Sequence, residues 1–178
     1  MTKTKWAIDP AHSEIGFKIK HLMISNVNGS FKKYSGTVET EQEDDFKNAS
    51  IQFEADVNSI DTANEQRDGH LRTGDFFESE KYPKLKFTSS KTEPVGDGKY
   101  YVHGDMTIKD VTKPITFEAE FSGIAKDPYG QTKAGFEIRG KINRKDFGLT
   151  WNAPLETGGM LLSDEVKIHG EVQLIKQA

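Results

Sequence analysis

The chain reads as an all-β protein: about eight antiparallel strands that share one apolar face, interrupted by a single main helix near residues 62–76. Three observations predict this. Apolar residues recur at every second position through most of the chain, which is the period of a half-buried strand. The joints between these runs are short and built of turn residues, so consecutive strands run antiparallel. One segment alone, Arg67-Asp68-Gly69-His70-Leu71-Arg72-Thr73-Gly74-Asp75-Phe76-Phe77, abandons the alternation.

The strands follow in order. Ile15, Phe17 and Ile19 alternate with Glu14, Lys18 and Lys20; Tyr34, Gly36 and Val38 with Lys33, Thr37 and Glu39. Ala49, Ile51, Phe53, Ala55 and Val57 form the third run. The helix comes next. Thr62 is the expected N-cap, with Glu65 three residues on as its capping-box partner, and Asp68 and Arg72 stand at i,i+4. Leu71, Phe76 and Phe77 give this helix an apolar face that seats it as a plug or lid on the sheet. Leu85 and Phe87 begin the next strand, followed by Tyr100, Val102, Met106 and Ile108, then by Ile115, Phe117, Ala119 and Phe121. Ala134, Phe136, Ile138 and Ile142 make the penultimate run, and Val166, Ile168, Val172 and Leu174 the last.

Asp97-Gly98 is a hairpin dipeptide, and Asp127-Pro128-Tyr129-Gly130 suits a type I turn. Lys113-Pro114 is read as the break between two alternating runs. The stretch Lys145 to Ser163 is long, lacks alternation and carries Phe147, Trp151 and Met160 among Gly and Pro; a loop of that length in a compact domain is expected to be a functional lid. With 178 residues and no linker, repeat or low-complexity segment, the chain is expected to form one domain over 1–178.

Composition excludes several classes. Hydrophobic residues make up 34% and charged residues 29%, a balance that suits a sheet with one wet face. The net charge of -4 and the absence of a basic patch argue against a nucleic-acid partner. No cysteine is present, so thiolate chemistry and disulfides are excluded. The N-terminal residues lack an apolar leader core, so either the chain is cytoplasmic or a leader has been removed; the initiating Met1 favours the cytoplasm. No run is long enough for stable membrane insertion as a helix.

Eight such strands fold as a sandwich or close as a barrel. Glycines fall on the apolar face at Gly36, Gly104, Gly123, Gly140 and Gly170. They either only bend the strands or also leave volume for a small ligand, and the residues alone leave both open. If a cavity exists, its lining is expected from the inward register: Phe17, Ile19, His21, Phe53, Phe87, Met106, Ile108, Phe117, Phe121, Phe136 and Ile138, with Phe147 and Trp151 added by the long loop. A bulky side chain at Gly104 is then expected to block the lumen while leaving the strands intact.

Motifs spread over nearly the whole chain point further. Trp6-Ala7-Ile8-Asp9-Pro10-Ala11-His12-Ser13, Ser59-Ile60-Asp61-Thr62, Arg67-Asp68-Gly69-His70-Leu71-Arg72, Asp75-Phe76-Phe77 and Tyr82-Pro83-Lys84-Leu85-Lys86-Phe87 occur in this order. They are followed by Met106-Thr107-Ile108-Lys109-Asp110-Val111-Thr112-Lys113-Pro114-Ile115, Arg144-Lys145-Asp146-Phe147-Gly148-Leu149 and Val166-Lys167-Ile168. Together these blocks resemble the YceI-like proteins; Asp110 departs from the glycine usual there. The resemblance implies a lipocalin-like antiparallel eight-stranded barrel with a long apolar pocket. It implies binding, transport or storage of a long-chain amphiphile of polyisoprenoid, quinone or fatty-acid or amide type, with no cofactor. Many members of that family are periplasmic. The chain could act alone or as a homodimer.

Candidate chemistry is sparse. The histidines His12, His21, His70, His103 and His169 show no metal-ligand spacing. His103 and His169 fall on wet faces, His21 continues the inward register, and His12 is expected to bond a neighbouring loop. A Ser13-His-Asp triad lacks any nucleophile elbow. Arg67, Asp68 and Arg72 could meet a phosphate head, but the nearby carboxylates Asp75 and Glu78 favour a structural ion-pair network at the helix junction. Two functions from different classes remain: a carrier of an apolar chain, and an enzyme acting on a lipid or isoprenoid within the same barrel. Few inward charges favour the carrier.

Overall fold

In the computed structural model, residues 3–155 and 160–178 are described. The strands are β1 (Thr4–Ile8), β2 (Glu14–His21), β3 (Ser25–Phe31), β4 (Tyr34–Thr40), β5 (Ser50–Asp56), β6 (Ile60–Asp61), β7 (Lys84–Gly96), β8 (Lys99–Ile108), β9 (Val111–Lys126), β10 (Thr132–Asn143) and β11 (Leu162–Lys176), and the α-helix α1 is Glu65–Leu71. The ladder runs β1-β4-β5-β7-β8-β9-β10-β11 and returns to β1, so eight antiparallel strands close into a barrel.

The three remaining strands lengthen the wall. β2 continues β1 along β11, β3 continues β4 along β2, and β6 continues β5 along β3. Three staves of the barrel are therefore each broken once. The cause is local at the first break: Pro10 has no N–H to give a ladder, and Asp9 caps the short 3₁₀ turn by accepting from the Ala11 N–H at 3.1 Å. Closure removes the free edges that an open sheet of this size would expose.

The turns are built by the residues read as turn formers, with one exception. Gly98 and Gly130 take the left-handed conformation that hairpin turns demand. The break assigned to Lys113-Pro114 falls instead at Lys109-Asp110, where Lys109 itself adopts φ 58°. Pro114 lies inside β9, opposite Asp105. A non-glycine residue thus stands left-handed at this turn, where glycine would fit without strain.

Strand glycines act as seats for aromatic rings. A Cβ on Gly140 would stand 2.5 Å from the Phe117 ring, and one on Gly29 would collide with the ring of Phe17. A ring laid over a glycine hugs the wall rather than crossing the lumen, which is how the barrel stays hollow among so many Phe side chains. Gly104 is seated equally tightly: its Cβ would run into the Thr88 carbonyl oxygen, a backbone atom, and the Phe87 ring. Gly104→Phe would therefore disturb the β7–β8 pairing, contrary to the expectation of intact strands. Gly123 has φ 129° and open space around it, so it serves backbone shape alone.

Candidate functional site

The buried residues form two clusters. One lies under α1 and includes Ala55, Phe76, Leu85, Phe87, Met106 and Phe147. The other lies at the far end, around Trp6, Val38, Phe46, Ala134 and Leu174. A cavity of about 690 Å³ runs through both. Its walls are overwhelmingly apolar, and its size falls within the range of small-molecule sites.

The far end is closed by Phe46, 3% exposed, from the loop between β4 and β5. Its ring meets Trp6 at 5.5 Å, Phe121 at 5.6 Å and, edge-on, Phe136 at 4.8 Å. The other end carries α1. Asn64 and Gln66 both line the cavity and reach solvent, so a mouth opens beside the helix.

α1 is shorter than expected. Asn64, not Thr62, is its N-cap, accepting from the Arg67 N–H at 2.9 Å, because Ala63 turns the chain through φ 63° just before it. It ends at Leu71, where the Thr73 hydroxyl donates to the His70 carbonyl and Thr73-Gly74-Asp75 cannot sustain a helix. Thr62 has a different task. Its N–H donates to buried Asp68 at 2.9 Å, its hydroxyl donates to the same carboxylate oxygen, and that hydroxyl accepts from Arg67 Nε at 2.7 Å. Arg67 Nη2 also donates to the Thr62 carbonyl at 2.7 Å. Arg72 turns away from Asp68 to the carbonyls of Asn58 and Ile60. The junction is thus a set of charge-assisted hydrogen bonds centred on Thr62; among the described residues no ion pair joins Asp68 to an arginine.

At the rim, His70 bonds Asp75 at 2.9 Å and meets Trp151 edge-on at 4.9 Å. Phe76 packs on the same Trp151 at 5.4 Å, so helix and long loop share one aromatic contact. That loop is pinned where it is described. Asn152 exchanges two hydrogen bonds with Leu162, and Arg144 bonds the carbonyls of Leu149, Trp151 and Ser163. The part of the expected lid at 156–159 lies outside the described residues.

Of the expected lining, Phe17, Ile19, His21, Phe53, Phe87, Met106, Ile108, Phe117, Phe136, Ile138 and Trp151 stand on the cavity wall. Phe121 does not: it faces inward beside its cross-strand partner Phe136 but packs into the Phe46 plug at the end of the lumen. Phe147, 1% exposed, is core beneath the loop and also off the wall. Sequence reasoning missed Arg144, buried to 2% exposure on the wall, and Phe46. It also missed Val27 and Phe31, whose alternation with Asn26, Asn28 and Ser30 was hidden by polar composition.

The histidines divide differently from expectation. His103 is bonded to Thr116 and Glu93, and His12 to Asp9. His169 is no solvated residue: it lies over Gly16, its Nε2 buried and without a partner among the described residues. Ser13 bonds the backbone of Gln173 in both directions, a structural task. Among the described residues there is no cluster of metal-ligating side chains, and no helix is long and apolar enough to cross a membrane.

A closed antiparallel barrel with an apolar lumen, plugged at one end and roofed by a short helix at the other, belongs to the class of barrels built around an internal cavity. The family within that class is shown by comparison: residues 6–174 match the YceI-like domain, and the chain belongs to that family. A UPF0312 protein of Staphylococcus aureus (strain MSSA476) is 40% identical over 171 residues, 96% of each chain. The Campylobacter jejuni YceI protein is 37% identical with a TM-score of 0.75, again covering 96% of both chains. A polyisoprenoid binding domain from Saccharophagus degradans shares the fold at 15% identity and a TM-score of 0.69, over 97% of this chain and 98% of that one.

Proposed function

We propose that this protein binds a long-chain apolar amphiphile in its lumen, non-covalently and without turnover, and so carries or stores it. The observation that carries the reading is the cavity of about 690 Å³ with almost wholly apolar walls, running from the aromatic plug at Phe46 to the mouth beside α1. Family membership and the fold shared with a polyisoprenoid binding domain support it. Phe17, Phe53, Phe87, Phe117, Ile138 and Trp151 would clasp the tail along the wall. Phe121 would act from within the Phe46 plug and Phe147 from behind the wall, by holding the wall residues in place.

The driving force is adequate. Each methylene removed from water contributes about 0.8 kcal/mol, or roughly a fourfold gain in affinity. At about 30 Å³ per water-sized group, the lumen holds on the order of twenty carbons. A dye-displacement series of amphiphiles with one head and lengthening tails should show affinity rising steadily and levelling off near that length. Flat affinity along the series, or chemical conversion of the ligand during incubation, overturns the reading. An enzyme would need a titratable pair converging on the substrate inside the lumen; the His70–Asp75 pair sits at the partly exposed rim and, among the described residues, has no nucleophile bonded to it.

A further inference from the structure

Arg144 is the anomaly of this lumen. It lies in the short 3₁₀ turn that ends β10, buried to 2% exposure, and it stands on the cavity wall. Three of its donor hydrogens are spoken for. Nε donates to the Ser163 carbonyl at 2.9 Å, and Nη1 donates to the carbonyls of Leu149 and, at 2.9 Å, of Trp151. Leu149 and Trp151 line the cavity themselves, so the backbone that fixes the guanidinium is the backbone of the wall. Nη2, with its two hydrogens, is buried and has no hydrogen-bond partner among the described residues.

Charge is unbalanced at this place as well. Among the described residues no carboxylate comes within ion-pair distance of Arg144. Burial pushes its guanidinium below the ordinary value, and only the more distant charge of Asp164 opposes that shift. An arginine remains protonated in such a setting. A buried cation is normally paired, because leaving it bare costs several kcal/mol. Here the guanidinium is rigidly held, charged and unfilled at one of its three nitrogens, at the border of an otherwise apolar chamber.

We propose that Arg144 is the headgroup site of the lumen, with Nη2 donating to the oxygen of a singly anionic head, the carboxylate of a long-chain acid. This rests on the binding reading above and narrows its ligand class. The vacancy is a single nitrogen, since Nε and Nη1 are engaged, so the contact is end-on rather than a two-pronged fork. One cation balances one negative charge. A pyrophosphate head would leave two or more charges uncompensated at Arg144, because the other arginine on the wall, Arg67, has its Nε and Nη2 bonded to Thr62 at the helix junction. The tail would then extend from Arg144 past the α1 cluster toward Phe46.

The test uses the wild-type protein and a set of probes with one sixteen-carbon tail: hexadecanoic acid, its methyl ester, hexadecanol, hexadecanamide and hexadecyl phosphate. By competitive dye displacement at neutral pH, the acid should bind about ten- to a hundred-fold tighter than the alcohol and the ester, as expected for one hydrogen bond between charged groups. Carboxyl-labelled hexadecanoic acid, followed by carbon NMR while bound, should titrate below its ordinary value, because a neighbouring cation favours the carboxylate. An unshifted or raised value overturns the proposal, since an apolar chamber alone would raise it. Equal affinity across acid, ester and alcohol also overturns it while leaving the carrier reading standing. Tightest binding of the amide or the phosphate replaces the carboxylate by that head. Failure of every probe to bind removes the carrier reading itself. Arg144→Gln should abolish the preference for the acid; if that variant does not fold, the NMR titration of the wild type decides alone.

Discussion

Replacing Thr62 with valine isolates the attachment of the helix to the barrel. Valine keeps the shape of threonine and both backbone contacts, the N–H to Asp68 and the carbonyl to Arg67 Nη2. It deletes one hydroxyl, which donates to the Asp68 carboxylate and accepts from Arg67 Nε. A hydrogen bond to a charged group is worth about 1.5–3 kcal/mol. The two losses are unequal. Arg67 is half-buried and can recruit water, whereas Asp68 is 6% exposed and keeps a single donor among the described residues, the Thr62 N–H. The expected destabilisation of the junction is about 2–4 kcal/mol. A seven-residue helix has no stability of its own, so the loss should appear as local undocking of α1 rather than unfolding of the barrel. Native-state amide exchange reads this directly. Amides of residues 65–71 should exchange about thirty- to a thousand-fold faster, at about 1.4 kcal/mol per decade, while β8 to β10 keep their protection. Unchanged exchange in α1 would refute the assignment of Thr62 as the link; equal acceleration in α1 and the barrel would refute the claim that the helix is a separable roof.

Gly104→Ala should lower stability by roughly 1–3 kcal/mol in denaturant unfolding, the usual range for overpacking, because the new methyl meets the Thr88 carbonyl, a backbone atom that cannot rotate away; a neutral result would show that β7 and β8 have slack there. Asp9 should govern part of the acid limb of stability. Burial pushes its carboxyl up, but the hydrogen bonds from His12, Lys133 and the Ala11 N–H, with the charge of Lys133, outweigh burial and hold it below the ordinary carboxylate value. A group depressed in the folded state contributes its stability in full above its unfolded value, about 3.9, and loses it as pH falls through the folded one. Asp9→Asn should therefore cost stability at neutral pH and flatten the decline on acidification; an unchanged acid profile would contradict this.

How much of this was legible in the sequence depends on where the signal sits. Staves such as β8 and β10 are regular because every second residue faces the lumen, so their period could be read directly and their lining residues followed. β3 failed the same reading although Val27, Gly29 and Phe31 alternate correctly. Its Asn and Ser residues depress the strand signal, and Gly29 is there only to receive the Phe17 ring from the neighbouring strand, a contact no local pattern carries. Phe121 shows the converse error. It keeps the inward register of β9, directly paired with Phe136, but its ring goes to the Phe46 plug that closes the lumen rather than to the lumen itself. Arg144 was visible only as part of a family motif. Its role depends on three carbonyls brought to it by chain reversal, which is tertiary information.

The two ends of the lumen are built on opposite principles, and the difference has a physical logic. A hollow barrel forfeits the dispersion contacts that a filled core would make, so its stability must come from the closed ladder and from the clusters that cap it. The far cap is aromatic, buried Trp6 against buried Phe46 with half-buried Phe136 edge-on, and its described buried residues are all apolar. It is suited to close and stay closed. The α1 cap is held by directional bonds to single hydroxyl and carbonyl groups, several of them partly exposed and open to replacement by water, and by Leu71, Phe76 and Phe77 on the cluster beneath, with His70 and Phe76 against Trp151. Bonds that water can replace are the ones that open locally at modest free-energy cost. On the proposed function, entry and exit of a long tail would belong to the α1 end, where Arg144 holds the loop that carries Trp151. A tail that fills the lumen restores the missing dispersion contacts and binds the folded state alone, so loading stabilises the barrel by mass action as well as occupying it.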